Sequence, residues 1–174
     1  MLNLRPADPS RGFTLVELMV TIAILAVLMA LGAPQFKAWL QNTQVRTATE
    51  SIQNGLQLAR AEAVRRNCNV EFVVNADTSW SVTAKPPSGD VPVQSRTANE
   101  GSSSSVTAAL TGSTKATFDG LGRVVNAGPL TAVTVTSSVT SQSMTVEVGT
   151  GGQIRLCNPL VTDTTDPRKC KNTS

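Results

Sequence analysis

Three groups of residues in this chain have types and spacing that could do chemistry. The first is a lone carboxylate: Glu17 is the only charged residue in the apolar run from Phe13 to Ala33. A charge at the centre of a bilayer costs roughly 2.5 to 3.5 kcal/mol on insertion scales, so something must compensate for it. The second group is sulfur: Cys68, Cys157 and Cys170 give at most one internal pair and one leftover thiol. The third is a basic cluster near the C-terminus, Arg155, Arg168, Lys169 and Lys171, with Asp163 and Asp166 among them. Charge pairing, disulfide formation and phosphate contact are the chemistries these types allow. The chain has no His, which removes Ser–His and Cys–His catalysis and imidazole metal ligation. It also lacks clustered carboxylates and a Gly-rich phosphate loop. The expectation is therefore no enzyme, no catalytic residue and no cofactor.

The apolar run must place Glu17. Residues Phe13 to Ala33 number 21, and as a helix they would span roughly 31 Å, close to the hydrocarbon thickness of about 30 Å. The preceding flank carries Arg5 and Arg11 against Asp8. The positive-inside rule then puts the N-terminus in the cytoplasm and the C-terminal bulk outside. A secretory signal peptide with a small-residue site near Ala30-Leu31-Gly32, or a plain single-pass anchor, would account for the apolarity. Neither accounts for Glu17.

The stretch "GFTLVELMVTIAILAVLMALGAPQF" resembles the N-terminus of type IV pilins and of the pseudopilins of type II secretion. The resemblance implies that a prepilin peptidase removes residues 1–12 by cutting after Gly12, and that the new terminal residue, Phe13, is N-methylated. It makes Glu17 the family's signature acid, and Pro34 falls where the family commonly bends its helix. It implies an inner-membrane protein with its C-terminal domain in the periplasm, whose partners are prepilin peptidase and other pilin subunits. The physics fits: cleavage frees an α-amine on Phe13, and in a filament the amine of one subunit can meet Glu17 of a neighbour, so that two costly charges compensate one another. Thr14 and Thr21 are expected to bond back to helix carbonyls.

Further along, Val45, Ile52, Leu56, Ala59 and Ala63 fall at offsets 0, 7, 11, 14 and 18, one face of a helix. Arg46, Glu50, Asn54, Arg60, Glu62, Arg65 and Arg66 occupy the rest of the circumference and read as a wet face, with Glu62 and Arg66 spaced to pair. Gly55 is a weak point of up to about 1 kcal/mol relative to Ala. The expectation is one helix from about 13 to 66: residues 13–34 for the membrane or filament core, and an amphipathic part over 35–67. Pro34 would bend or break it locally.

From 68 to 174 the period switches to strands. "NVEFVVN" and "SWSVTA" form a hairpin about Asn75-Ala76-Asp77-Thr78. Lys85 to Lys115 reads as a Ser-rich loop. Strand signals resume at "ATFD", "GRVVN", "AVTVTS", "SMTVEVG" and "GQIRLC". The fold class is α+β, a long helix laid on an antiparallel sheet. "LARAEAVRRN" leading into a strand resembles the subgroup that holds the minor pilins FimT and FimU and the pseudopilin GspH.

Cys157 and Cys170 bracket a loop of 14 residues counting both ends. Outside the cytoplasm they are expected to pair, and closing a loop of that size contributes about 3 kcal/mol in the chain-entropy model. Cys68 is expected to be a buried free thiol. No metal site is expected, since no C-x-x-C unit occurs. The basic residues have two readings: a solvated tail, or a loop touching the phosphates of double-stranded DNA. The loop has no aromatic for base stacking. The ending "GGQIRLC…DPRKC" resembles the Gly-x-x-Arg-x-Cys region of FimT-type pilins, with Gln153 where a further basic residue is often seen. That resemblance implies DNA capture for natural transformation. Two functions follow: a minor type IV pilin with or without DNA contact through Arg155, Arg168, Lys169 and Lys171, or a minor pseudopilin of type II secretion.

Overall fold

The computed structural model describes residues 12–98, 100 and 103–171. Residues 1–11, which hold Arg5, Asp8 and Arg11 and most of the segment expected to be removed, lie outside the described residues. The chain divides into two compact units, 1–37 and 38–174.

In the first unit the described residues are helical from Leu15 onward, as the start of α1 (Leu15–Arg66). The apolar stretch of the helix is wholly exposed. The backbone stays helical through position 34, so the break expected there does not occur.

The second unit combines the rest of α1 with β1 (Asn69–Val74), β2 (Trp80–Lys85), β3 (Val91–Arg96), β4 (Val106–Gly112), β5 (Lys115–Phe118), β6 (Leu130–Ser137), β7 (Ser143–Val148) and β8 (Ile154–Cys157). These form two antiparallel sheets, ordered β3-β2-β1-β5 and β4-β6-β7-β8. The expected helical face is buried along its length, from Val45 through Ile52, Leu56 and Ala59 to Ala63. Thr49 joins it in the core, where its hydroxyl donates to the Val45 carbonyl at 2.7 Å and is thereby satisfied. This face packs in one cluster with Val70, Phe72 and Val82 of the first sheet and with Val106, Val133 and Val146 of the second.

Gly55 has a positive reason to be there. A Cβ at this position would meet Phe72 Cε2 at 2.8 Å and Trp80 Cδ2 at 3.0 Å, so the missing side chain is what lets the helix seat on β1 and β2. Trp80 is fixed there by its indole N–H, which donates to Ser51 Oγ at 2.9 Å.

The helix ends in a Schellman arrangement. Asn67 takes a left-handed φ of 49°, its N–H donates to Val64 O, and the Cys68 N–H reaches back to Ala63 O at 3.3 Å. Cys68 is a half-buried free thiol packed against the core rather than a fully buried one.

Two readings of the β region need correction. The stretch 85–115 is not one loop, for it contains β3 and β4. Both are edge strands of small and polar residues, and β3 is mostly exposed. Their identity rests on backbone bonds to β2 and β6, which composition does not reveal. The end of the Ser-rich segment is pinned to α1: Ser103 Oγ donates to Gln44 Oε1 at 2.8 Å and Ser105 Oγ to Gln41 Oε1 at 2.9 Å. Conversely, "GRVVN" makes only an isolated bridge, Val124 to Phe118. Asp119 folds this stretch into a turn by accepting the N–H groups of Leu121 and Arg123.

Candidate functional site

The N-terminal candidate is local. Thr14 precedes the first helical residue, and its Oγ1 accepts the Glu17 N–H at 3.2 Å. Its carbonyl accepts the Leu18 N–H at 3.2 Å. Thr14 is thus the N-cap of α1 and not a residue bonding back to a carbonyl, while Thr21 does bond back, to Leu18 O at 2.8 Å. The sequence Thr-Leu-Val-Glu has capping-box spacing, with Glu17 at the third helical position. A carboxylate in the first turn faces the positive end of the helix dipole. Part of the compensation for Glu17 is therefore built into its own helix. Gly12 and Phe13 lie ahead of the helix and are exposed, Phe13 at 82 %. The peptide bond between them is free of helical hydrogen bonding.

The C-terminal candidate is built on the β7–β8 hairpin. Register sets Glu147 opposite Arg155, and Thr145 opposite Cys157. Val146 and Val148 point into the core, while Thr145 and Glu147 lie on the other face of β7 and are also buried. The chain after β8 covers that face, and Cys157 and Cys170 are joined in a disulfide with their Cα atoms 5.1 Å apart. A parallel bridge pairs Asn158 with Lys169, and the Asn158 N–H donates to Arg168 O at 2.7 Å.

Glu147 is the residue that inspection of the sequence missed. It is 4 % exposed. Its Oε2 accepts Arg155 Nη2 at 2.8 Å and its Oε1 accepts the Lys171 N–H at 2.6 Å. The same Arg155 Nη2 donates to Lys169 O at 2.8 Å. Arg155 thus joins a buried acid to the backbone of the disulfide loop. The available signal was positional: Glu147 and Arg155 are symmetric about the Gly-rich turn at 149–153.

The expected basic residues therefore differ in their surroundings. Arg155 is held within the loop's own framework. Arg168 is 74 % exposed at its side chain and pairs with Asp166 at 2.7 Å. That hydrogen bond holds the Asp166 carboxyl down at about 2. Thr165, through its backbone N–H and its hydroxyl, lowers Asp163 as well. Lys169 Nζ donates to Thr162 O at 3.1 Å. Lys171 is exposed. Among the described residues, Glu147, Cys157 and Cys170 bring a carboxylate and two sulfurs within 4.8 Å of one another. With the sulfurs bonded to each other, the thiolates a metal would need are absent.

Comparison with known proteins gives matches along most of the chain. The model of the type II transport protein GspH family matches residues 48–152, and that of the prokaryotic N-terminal methylation motif matches residues 8–33. The disulfide loop lies beyond the first match. A fimbrial protein of Pseudomonas aeruginosa is 37 % identical over 54 residues, which are 31 % of this chain and 34 % of that protein. Prepilin peptidase-dependent protein D of Escherichia coli (strain K12) is 53 % identical over 34 residues, 20 % of this chain and 23 % of that one. The chain thus spans about a third or less of the length of these curated relatives. Among solved structures, the type IV minor pilin FimU of P. aeruginosa superposes with a TM-score of 0.51 at 20 % identity, covering 64 % of this chain and 87 % of that one, a likeness of fold. With more than half of its length matched by one family model and its head by the methylation motif, the chain belongs to the type II transport protein GspH family.

Proposed function

We propose that this chain is a minor type IV pilin, a structural subunit held in the inner membrane by residues 13–34 with its β domain in the periplasm. Prepilin peptidase cuts after Gly12, Phe13 is methylated, and the subunit joins other pilins through the Phe13 amine and Glu17. The observation that carries this reading is the N-terminal geometry. An exposed, non-helical Gly12–Phe13 bond abuts a capped apolar helix with one acid in its first turn. The test is co-assembly in cells carrying the filament machinery. Glu17→Ala is expected to be cleaved and to reach the membrane as the wild type does, yet to be scarce in sheared filaments. Normal incorporation of Glu17→Ala would overturn the pairing role.

DNA contact at the filament surface is the second element, in a narrower form than the sequence suggested. Arg168 and Lys169 on the disulfide loop and Lys171 just beyond it are the phosphate-contacting residues, while Arg155 positions that loop through Glu147. Changing the first three to Gln is expected to abolish salt-sensitive binding of double-stranded DNA without loosening the fold. Equal binding by both proteins would remove the role. A second reading, as a minor pseudopilin of type II secretion, draws its support from the name of the matching family, type II transport protein GspH. Incorporation that survives loss of the pilus assembly motor but not of the secretion motor would establish it.

A further inference from the structure

The head of the second unit carries an apolar surface that the core does not use. Of the four Phe and two Trp in the chain, Phe72, Trp80 and Phe118 are buried, and Trp39 is the one aromatic of residues 38–174 that stands exposed, at 62 %. Leu40 beside it is exposed as well. The turn between β6 and β7 comes to the same place: its Gln142, with Met144 of β7, lines a cleft of about 380 Å³ together with Trp39, Thr43 and Arg46 of α1. Ser137 Oγ donates to Gln41 Oε1 at 3.2 Å and accepts the Val139 N–H at 3.1 Å, which ties the turn to the helix. Val139, in that turn, is 57 % exposed.

These residues suit the zone where a bilayer meets water. Trp is enriched there because its ring is apolar while its indole N–H favours a polar partner. Trp39 follows Ala33, the end of the apolar run, by six residues, about 9 Å along a helix. From Gln35 to Arg46 the sequence has Lys37 and Arg46 and no Asp or Glu, and residues 138–142 carry no charge. Arg46 shares its charge with Glu50 at 2.7 Å, so Lys37 is the main cation. Anionic headgroups attract Lys and Arg placed near them. A second copy docked patch to patch would instead set cation against cation.

We infer that Trp39, Leu40 and the β6–β7 turn with Val139 form a lipid-facing seat, by which the β domain rests one edge on the anionic headgroup layer of the membrane that residues 13–34 enter. The seat rests on the membrane anchoring proposed above. Trp39 approaches lipid through its place in the chain alone. The turn lies far along the sequence and reaches lipid only if the domain is seated, so the turn is the part to be read.

The test places the full chain in nanodiscs of phosphatidylglycerol and phosphatidylethanolamine that contain a lipid with a gadolinium-chelating headgroup. Amide resonances are compared with and without gadolinium, and copurification with the nanodiscs reads the anchor separately from the seat. The Val139 and Gln142 amides are expected to broaden strongly. The Gly151 amide, at the other end of β7 and roughly 20 Å away along the strand, should broaden much less. Val139→Asp changes an exposed side chain and sets a carboxylate against the anionic headgroups; it is expected to lose most of the Gln142 broadening. A chain that enters nanodiscs yet shows Val139 and Gln142 no broader than Gly151 would overturn the seat and leave the anchor standing. A chain that fails to enter would overturn both. Unchanged Gln142 broadening in Val139→Asp would overturn the seat as well, as would Val139 changes that vanish when the chain is diluted in lipid and so report a second copy.

Discussion

Arg155 of β8 faces Glu147 of β7 across the hairpin, guanidinium to carboxylate at 2.8 Å, and the second half of the disulfide loop hangs from that pair. The acid is buried and the base half-exposed, so the two contribute unequally. Replacing Glu147 by Gln removes the charge that balances Arg155 and weakens the bond that holds the Lys171 N–H. Fully buried pairs broken from one side lose about 3 to 5 kcal/mol, and a hydrogen bond to a charged group is worth roughly 1.5 to 3. With Arg155 partly solvated, a loss of about 2 to 3 kcal/mol is expected on denaturation. Loss of less than about 0.5 kcal/mol, the ordinary surface effect, would show that the pair does not hold the loop.

The disulfide and that ion pair constrain the same segment, so their effects should not add. Changing Cys157 and Cys170 together to Ser is expected to cost about 3 kcal/mol through the unfolded chain's regained freedom. In Glu147→Gln, where the loop is already loosened, the same change should cost less. A double-mutant cycle measures the coupling. Hydrogen exchange locates it: the Asn158 and Lys171 amides, bonded to Arg168 O and to Glu147, should lose protection in both variants. Strict additivity with unchanged protection at these amides would mean that the two restraints are independent.

What was legible in the sequence followed from periodicity and from short, strong local signals. The buried helix face from Val45 to Ala63 is written in its spacing. The β1–β2 hairpin is written in alternation, and the pairing of Cys157 with Cys170 was expected from the cysteine count and an expected oxidising compartment. What was hidden depends on partners far along the chain. The strand β3 buries little, β4 buries only Val106 and Ala108, and both owe their conformation to β2 and β6. Gln41 and Gln44 look like solvated positions until Ser103 and Ser105 arrive from some sixty residues away. Glu147 reads as the polar step of an alternating strand, and it is buried only because the C-terminal loop folds back over that face. Gly55 reads as a helix defect, and its use appears only when Phe72 and Trp80 are in place. At the N-terminus the Thr14–Glu17 cap is entirely local, yet an acid at the head of an apolar run reads first as a cost in lipid and only then as part of a cap.

Two carboxylates set an acid-sensitive window. Hydrogen bonds from Arg65 and Arg66 hold Glu62 at about 2 against an ordinary 4.5, and Arg168 holds Asp166 at about 2 against 3.8. Both folded values are depressed. The stabilisation they give is therefore complete above the ordinary values and is lost as pH falls towards about 2. The end of α1 and the disulfide loop should loosen across that interval, and the pH dependence should be flat above about 5 for these groups. Carboxyl NMR titration reads both directly. In Arg168→Gln the Asp166 midpoint should move back up towards 3.8, while Glu62 stays put. An unmoved Asp166 would mean that its depression comes from the loop backbone rather than from Arg168.

Gly55→Ala sets two effects of opposite sign against each other. Alanine improves intrinsic helix propensity by about 1 kcal/mol. The added methyl, however, would lie 2.8 Å from Phe72 Cε2 and 3.0 Å from Trp80 Cδ2, closer than carbon atoms pack. Neither ring is free to leave: Phe72 is fully buried, and Trp80 is tethered by its indole N–H to Ser51 on the same helix. Relief requires either lifting α1 from β1 and β2 or breaking the Trp80–Ser51 bond. Overpacking of this kind costs typically 1 to 3 kcal/mol, so the net change should be destabilising by roughly 1 kcal/mol. A shift in Trp80 emission should accompany it, because the indole moves with the ring. Pairing Gly55→Ala with Phe72→Leu, which withdraws the ring carbon nearest the new methyl, should recover part of the loss in the Phe72→Leu background. If Gly55→Ala instead stabilised the chain, the helix would have slack above the sheet, and the close seating of α1 at this position would be wrong.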